Sequence, residues 1–458
     1  MSSSFTDLEA SLIGELLTPG DPGYEDGRAI WNGMIDRRPA AIARCLGVAD
    51  VQVGVRYARA NALPLCIKGG GHNIAGLAVA DDALMLDMSR MRGVFVDPSS
   101  RIAHAQAGCT LGDVDRETQV HGLAAVLGFV SNTGIAGLTL GGGFGYLSRR
   151  FGWTSDNVRS ITVVTADGEV VKASDRENAD LFWALRGGGG NFGVAVDFEY
   201  ELHPVGPEIV GGAIAWPAEQ ASEVLDYYRE LAGRLPSVAT AVLGVRFAPP
   251  APWIAPEAHG KLIALMLVCH TGSLEDGEAL VAPIKAFGDP VGDVLTRRPY
   301  VTQQSLLDAT QPNGRRYYWK SEYVSEASPE MLGKMLEHAG TMPSEHGAIL
   351  LFPFDGGVQQ RSNDHSAVGN RDAGAVFNIA DGWDDPSADE ANVEWARAAW
   401  RDLRQYSTGG TYVNFLTEEE GDDRIADAYG ANRARLVDIK TEWDPENLFR
   451  INKNIPPR

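Results

Sequence analysis

The sequence contains 458 residues, 44% of them hydrophobic, and its 61 acidic and 40 basic side chains give a net charge of −21. This acidic balance argues against nucleic acid or an anionic membrane as a partner, because both require a basic footprint. No apolar run approaches the roughly 20 residues of a membrane span. Residues 1–17 lack the basic and apolar regions of a secretory signal, so we expect a cytoplasmic protein of two or three domains.

The first predicted elements are a helix over residues 50–62, capped by Asp50, and an apolar strand over 65–68 that runs into a glycine turn. Further strands are predicted over residues 83–87, 93–97 and 102–107. A helix is expected to begin near Leu111. Two β-branched runs, 161–165 and 169–171, flank an Asp-Gly pair and therefore predict a hairpin.

Composition changes at Pro204 and Pro207. Beyond them, strands are predicted over residues 209–215, 239–247 and 262–270. They alternate with an amphipathic helix over 218–235, and two more helices are expected within 396–458. This order of elements favours an α+β fold class with a second domain.

Four cysteines, Cys45, Cys66, Cys109 and Cys269, show no C-x-x-C spacing and are expected to be reduced, mostly buried thiols. No His, Asp or Glu cluster has metal-ligand spacing, so the sequence predicts no metal site.

Three glycine clusters, at residues 69–71, 134–145 and 187–193, carry most of the functional information. A G-x-G-x-x-G fingerprint should open a βαβ unit, whereas here the second cluster follows the irregular stretch 128–133. No P-loop motif is present. Backbone amides of glycine turns can converge on phosphate oxygens, and three such turns fit one elongated, anionic dinucleotide.

The run Lys68-Gly69-Gly70-Gly71-His72-Asn73, the second and third clusters and the segments 153–157 and 180–193 resemble the PCMH-type FAD-binding domain of the vanillyl-alcohol oxidase superfamily. The ending, with residues 412–415 and 443–450, resembles its berberine-bridge-enzyme branch. The resemblance implies a two-domain α+β flavoprotein. A discontinuous FAD-binding domain (1–205, with a core of about 35–205, and 413–458) would surround a substrate domain (206–412) with an antiparallel sheet.

By that resemblance, His72 matches the histidine that attaches covalently to the 8α-methyl group of the flavin. The other cofactor-binding positions it implies are Lys68, Gly69, Gly70, Gly71 and Asn73 at the pyrophosphate, Ser131, Thr133, Gly134, Gly137, Gly141 and Gly145 along the flavin, Val194 near the adenine end, and Asn452 and Asn454 over the flavin ring.

Some members of this branch carry a second flavin bond from a cysteine, and Val130 occupies that position here. Valine cannot form a thioether, so we expect a single covalent link through His72. Nearby Cys109 follows Gly108 at the end of a predicted strand, where a small buried residue is ordinary. A single link slightly favours a smaller or differently shaped substrate than an oligosaccharide.

Tyr412 and Asn414 are the catalytic candidates. They lie two residues apart, so on a strand both side chains point to one face, and the resemblance places that face against the flavin. A tyrosine needs a cation or hydrogen-bond donors to act as a base, and a packing role for Tyr412 stays open. Tyr317, Tyr318 and Trp319, with Lys320, are candidates for the substrate-side wall and a cation, or for packing.

The sequence therefore predicts an FAD-dependent oxidoreductase of a small molecule, with hydride transfer from an alcohol or sugar CH–OH group to covalent flavin and then to O2. A cyclic amine substrate, or a dehydrogenase using another acceptor, stays open, because Thr133 at the position that governs oxygen access is compatible with oxidase activity without establishing it. A flavin-binding protein without turnover is the alternative from another class. The sequence does not specify the oligomeric state.

Overall fold

The computed structural model describes residues 5–458. The strands of its first half are β1 (Glu15–Leu17), β2 (Ala41–Arg44), β3 (Leu65–Lys68), β4 (Leu84–Asp87), β5 (Val94–Asp97), β6 (Ile102–Gln106), β7 (Leu123–Ala124), β8 (Val158–Val164), β9 (Val170–Ser174), β10 (Val194–Glu201) and β11 (His203–Pro204). The helices are α1 (Thr6–Ser11), α2 (Tyr24–Arg28), α3 (Val48–Ala60), α4 (Leu111–Gln119), α5 (Ile135–Leu140), α6 (Ser148–Phe151) and α7 (Ala179–Leu185).

These strands form two main sheets. The first has the order β1-β2-β4-β3, with β2 and β3 parallel to the fully buried β4. Helix α3 covers it so closely that a Cβ on Gly54 would come within 2.5 Å of the Leu86 side chain. The second sheet is antiparallel, in the order β5-β6-β10-β8-β9, and its β8–β9 hairpin confirms the predicted Asp-Gly turn, with Gly168 at φ +75°.

The start of α3 differs from the prediction. The helix begins at Val48, and Asp50 lies inside its first turn. The Asp50 carboxylate accepts hydrogen bonds from the backbone N–H groups of Leu46, Ile13 and Gly14 instead of capping the helix. The predicted capping role of Asp50 is wrong, because the backbone at Ile13 and Gly14, far away in sequence, donates to its carboxylate.

The second half contains β12 (Glu208–Pro217), β13 (Ala239–Phe247), β14 (Leu262–His270), β15 (Gly292–Asp293), β16 (Thr296–Pro299), β17 (Arg316–Val324), β18 (Ala348–Pro353) and β19 (Ala375–Trp383). Its helices are α8 (Ala221–Ala232), α9 (Leu274–Lys285), α10 (Tyr300–Gln304), α11 (Pro329–Ala339), α12 (Asp389–Leu403), α13 (Asp422–Tyr429) and α14 (Arg433–Trp443).

One large antiparallel sheet dominates this half, in the order β15-β12-β14-β13-β18-β19-β17, with β16 also paired to β12. Both β13 and β14 have the bounds predicted from sequence. Helices α8, α9, α11 and α12 pack on one face and form an apolar core with it. The opposite face packs against the second glycine cluster, so the predicted α+β class with an antiparallel second sheet is confirmed.

The last helix and the tail return to the first half of the chain. Leu436 and Phe449 belong to the same apolar core as α3, α7 and β10. A fully buried ion pair holds this return in place: Lys440 Nζ lies 2.6 Å from Asp444 Oδ2 and also donates to the carbonyl of Asn191. Among residues 5–458, no helix combines the length and apolarity needed to cross a bilayer.

Candidate functional site

A cavity of about 310 Å³ lies between the glycine clusters, the C-terminal tail and the face of the large sheet that is not covered by helices α8, α9, α11 and α12. Its wall includes Gly69, Gly70, Gly71, His72 and Asn73 from the first cluster, Val130, Thr133, Gly134 and Gly137 from the second, Gly189, Gly190 and Val194 from the third, Trp319, Leu350, Phe352, Asn378 and Ala380 from the sheet, and Tyr412, Asn414, Asn452 and Lys453 from the C-terminal part. The topology thus brings together residues that are almost 400 positions apart.

The glycines fit a closely held ligand in two ways. A Cβ on Gly70 would overlap the backbone of Gly134, so the first two clusters meet backbone to backbone. In contrast, a Cβ on Gly137 would meet no protein atom within 4 Å, although Gly137 lines the cavity. Packing inside the protein therefore does not require glycine at position 137, whereas a ligand lying against the backbone would require it.

His72 follows this loop and lines the cavity. Its Nε2 lies 2.9 Å from Asn132 Oδ1. Desolvation lowers the pKa of His72 to about 4, against the opposing effect of that hydrogen bond. The imidazole is therefore neutral at pH 7, and a neutral imidazole has the free lone pair of a nucleophile.

Tyr412 and Asn414 also line the cavity, but the predicted strand is wrong: Val413–Phe415 is a 3₁₀ turn. The turn nevertheless brings the two side chains together. Asn414 Nδ2 donates to the Tyr412 hydroxyl at 2.9 Å, and the Gly143 N–H donates to the same oxygen at 3.0 Å. Burial raises the pKa of Tyr412, and the two donors oppose that shift.

Alternation along β17 separates the other predicted aromatic residues. Trp319 lines the cavity, whereas the Tyr318 hydroxyl bonds Glu419 on the opposite face of the sheet. Lys320 is buried on that same opposite face, where it pairs with Glu420. Placing Tyr318 and a Lys320 cation at the substrate-side wall was therefore wrong. Tyr317 is outside the wall and stacks on Trp31 at a ring distance of 3.8 Å.

Five predicted cofactor positions are not in the cavity wall: Lys68, Ser131, Gly141, Gly145 and Asn454. Lys68 donates to the carbonyl of Gly27, and Ser131 donates to Asp308. Gly141 and Gly145 are needed for packing, because a Cβ there would overlap Asn414 and the Leu127 carbonyl respectively. Their contact with a ligand remains a prediction, which the cavity geometry does not support.

Trp319 was predicted at the wall, whereas the polar wall residues Asn378, Gln311 and Lys453 were not anticipated from sequence. Asn378 Oδ1, Gln311 Oε1 and Trp319 Nε1 are buried and have no hydrogen-bond partner within the described residues. Lys453, between the two predicted asparagines, also lines the wall, and desolvation lowers its pKa to about 8. No motif marks these positions, since each lies in an ordinary strand or loop.

The wall, within residues 5–458, contains no aspartate, glutamate or cysteine side chain. Cys109 is buried elsewhere, and desolvation raises its pKa to about 12. No group of three or more His, Cys, Asp or Glu side chains suited to a metal occurs in the described part of the chain. A mainly apolar cavity bounded by three glycine turns and a neutral histidine indicates a dinucleotide-binding protein of the flavin type.

Comparison with known proteins agrees with this class. The family described as "FAD binding domain" matches residues 39–174, and the family described as "Berberine and berberine like" matches residues 411–456. An FAD-linked oxidoreductase of Dictyostelium discoideum is 31% identical over 452 residues, which cover 98% of this chain and 95% of the relative. The (R)-6-hydroxynicotine oxidase of Paenarthrobacter nicotinovorans is also 31% identical, with 98% and 97% covered.

The crystal structure of 6-hydroxy-D-nicotine oxidase from Arthrobacter nicotinovorans superimposes with a TM-score of 0.87 at 29% identity, with both chains covered completely. The chain therefore belongs to the berberine-bridge-enzyme-like branch of the vanillyl-alcohol oxidase superfamily, and it is an FAD-dependent oxidoreductase.

Proposed function

We propose that the protein is an oxidase of a small, uncharged CH–OH compound, with dioxygen as the final electron acceptor. The observation that carries this proposal is the polar content of the cavity wall. Asn378 Oδ1 and Gln311 Oε1 can accept a hydrogen bond and Trp319 Nε1 can donate one, while no carboxylate lines the wall within residues 5–458. Buried polar groups of this kind are satisfied by a ligand that supplies both a donor and an acceptor, as a hydroxyl does.

The residues of the cavity wall also support a proposal for how FAD is bound. We propose that residues 1–205 and 413–458 bind the cofactor and that residues 206–412 form the substrate domain. His72 supplies the covalent link, and the first glycine cluster with Asn73 supplies the pyrophosphate contacts. When bound, the isoalloxazine accepts the hydride and passes two electrons onward. Val130 lines the wall where a thioether would need cysteine, so the link through His72 is single.

We assign Tyr412 to the substrate proton and Asn414 to the placement of Tyr412. The Asn414 amide lies within 3.3 Å of the carbonyls of Gly137 and Leu138, so it ties the C-terminal turn to α5. The same amide and the Gly143 N–H donate to the Tyr412 oxygen. Both donors stabilise negative charge there when the phenol gives up its proton, and this is the condition for a tyrosine base.

A second candidate function is oxidation of a cyclic amine. It is favoured by the relative named (R)-6-hydroxynicotine oxidase, which is 31% identical over 98% of this chain. The compound in that name, 6-hydroxynicotine, contains a cyclic amine. The wall holds the Lys453 amine and, within residues 5–458, no carboxylate, so it favours a neutral amine over an ammonium ion, because an ammonium without a counter-ion is costly to desolvate.

Anaerobic bleaching of the flavin by a panel of alcohols, sugars and cyclic amines tests the proposal. We expect alcohols to bleach the flavin and dioxygen to restore it with one hydrogen peroxide per reduced flavin. Bleaching by amines alone would favour the second candidate. Slow reoxidation by dioxygen, with fast reoxidation by a dye, would identify a dehydrogenase. An unbleached flavin throughout a broad panel would favour a flavin-binding protein without turnover.

Asn378→Leu should separate recognition of the hydroxyl from catalysis. The change removes one buried hydrogen bond to the substrate, worth about 0.5–1.5 kcal/mol, so we expect KM to rise roughly 2- to 12-fold while kcat changes little. Steady-state kinetics on the best alcohol measure this, with the exposed Asn61→Leu as a control. An unchanged KM would remove Asn378 from the substrate contacts.

A further inference from the structure

The segment around Trp31 joins the first glycine cluster to the large antiparallel sheet. The Trp31 N–H donates to the carbonyl of Gly71 at 3.1 Å, and its carbonyl accepts from the Gly314 N–H at 2.9 Å, just before β17. Two residues later, a Cβ on Gly33 would overlap the Gly314 carbonyl. The loop that presents His72 is therefore bonded, through one residue, to the strand that forms part of the cavity wall.

The side chain of Trp31 repeats this connection. Its indole lies between two rings: the His72 imidazole at 4.6 Å and an angle of 19°, and the Tyr317 phenol at 3.8 Å and 9°. The indole N–H donates to the carbonyl of Gln311 at 3.2 Å, so the plane of the indole is fixed as well. Trp31 and Tyr317 are both buried.

One face of His72 is thus fixed by stacking, and one edge is fixed by Asn132. Because Asn132 Oδ1 is an acceptor, the His72 nitrogen facing it, Nε2, carries the hydrogen. The lone pair then belongs to Nδ1, which has no hydrogen bond within the described residues. Stacking sets the plane of the ring and the Asn132 bond sets its tautomer. Neither contact alone fixes the direction of the lone pair.

We infer that Trp31 is a positioning residue for covalent flavin attachment: packed between Tyr317 and His72, it holds the imidazole plane and so sets the direction in which the lone pair of Nδ1 would meet a bound flavin. This inference rests on the covalent link proposed above. It adds that attachment depends on β17 of the substrate domain, through Tyr317.

With FAD bound, Nδ1 of His72 would form a bond to the 8α carbon, while one proton would leave the 8α-methyl group and one would leave Nε2, the ring nitrogen that carries the hydrogen. Attachment would leave two electrons on the flavin, and dioxygen would accept them with two protons to become hydrogen peroxide. The contribution of Trp31 to this step is the orientation of the nucleophile, so orientation is what a variant at position 31 should change.

The test compares Trp31→Ala and Trp31→Phe in the full-length protein expressed with ample riboflavin. Total FAD per chain is measured by absorbance, and the covalent fraction is measured by flavin fluorescence on a denaturing gel and by intact mass. We expect Trp31→Phe to resemble the wild type, because a planar ring still stacks. Trp31→Ala should hold FAD with a covalent fraction lowered about tenfold or more, since a displaced reacting group costs up to about 100-fold in rate.

A wild-type covalent fraction in Trp31→Ala would overturn the inference and leave the His72 link intact. A wild type without any covalent flavin would overturn both. If Trp31→Ala fails to fold, Tyr317→Leu decides the question, because it loosens the indole without touching His72. A lowered covalent fraction in Tyr317→Leu, at unchanged total FAD, supports the inference, and an unchanged fraction overturns it.

Discussion

His72→Ala should abolish covalent flavin completely while FAD remains bound and extractable. The reason is that the cavity wall, within residues 5–458, offers no cysteine to replace the imidazole, while the glycine turns proposed to hold the cofactor are unchanged. A histidyl substituent withdraws electron density from the flavin, so its loss should also slow turnover, on the order of tenfold for about 1.4 kcal/mol. Acid precipitation followed by flavin fluorescence of pellet and supernatant measures the effect.

The exposed His121→Ala serves as the matched control and should keep its flavin in the pellet. Covalent flavin that persists in His72→Ala would point to another attachment residue. Flavin that is extractable from the wild type as well would show that the protein has no covalent link at all.

Tyr412→Phe should lower the rate of anaerobic flavin reduction by about 10²- to 10⁴-fold, the usual contribution of a general base. The flavin content should stay normal, because the phenyl ring keeps the packing against Phe144 and Phe415. Burial raises the Tyr412 pKa above its ordinary value near 10, so the phenol is protonated across pH 6–9. A base of this kind predicts a reduction rate that still rises with pH at 9.

Stopped-flow bleaching measures both effects. Tyr429→Phe is a suitable control, because Tyr429 is another buried tyrosine in the cavity wall and no hydrogen bond joins it to Asn414. Near-normal reduction in Tyr412→Phe, or a flat pH profile, would assign Tyr412 to packing.

The sequence predicted those parts of the fold that depend on local pattern. Strands β13 and β14 were bounded correctly because each is a mainly apolar run of nine residues that is rich in Val and Leu. The hairpin β8–β9 followed from its Asp-Gly turn. Asp50 was misassigned because the partner that captures its carboxylate, the backbone at Ile13 and Gly14, lies far away in sequence. Rules that consider only neighbouring residues cannot predict that a distant backbone segment will bind this carboxylate.

The site was predicted where it depends on glycine and missed where it depends on the sheet. His72 and Gly137 stand in recognisable clusters, and both line the cavity. Tyr318 was placed on the wrong side because only the register of β17 decides which alternate residues face the cavity. Asn378 was missed for a related reason: its chemistry becomes visible only when its amide oxygen is found buried without a partner.

The distance along the chain between the walls of the cavity has a consequence for biosynthesis. One wall begins at Leu65 and another ends at Lys453, and the ion pair of Lys440 with Asp444 anchors the tail to the carbonyl of Asn191. A nascent chain that has not yet reached residues 440–453 contains the three glycine clusters but lacks the C-terminal part of the cavity wall. The cavity is therefore closed only after residues 440–453 have been synthesised, and we expect FAD to be loaded after that point.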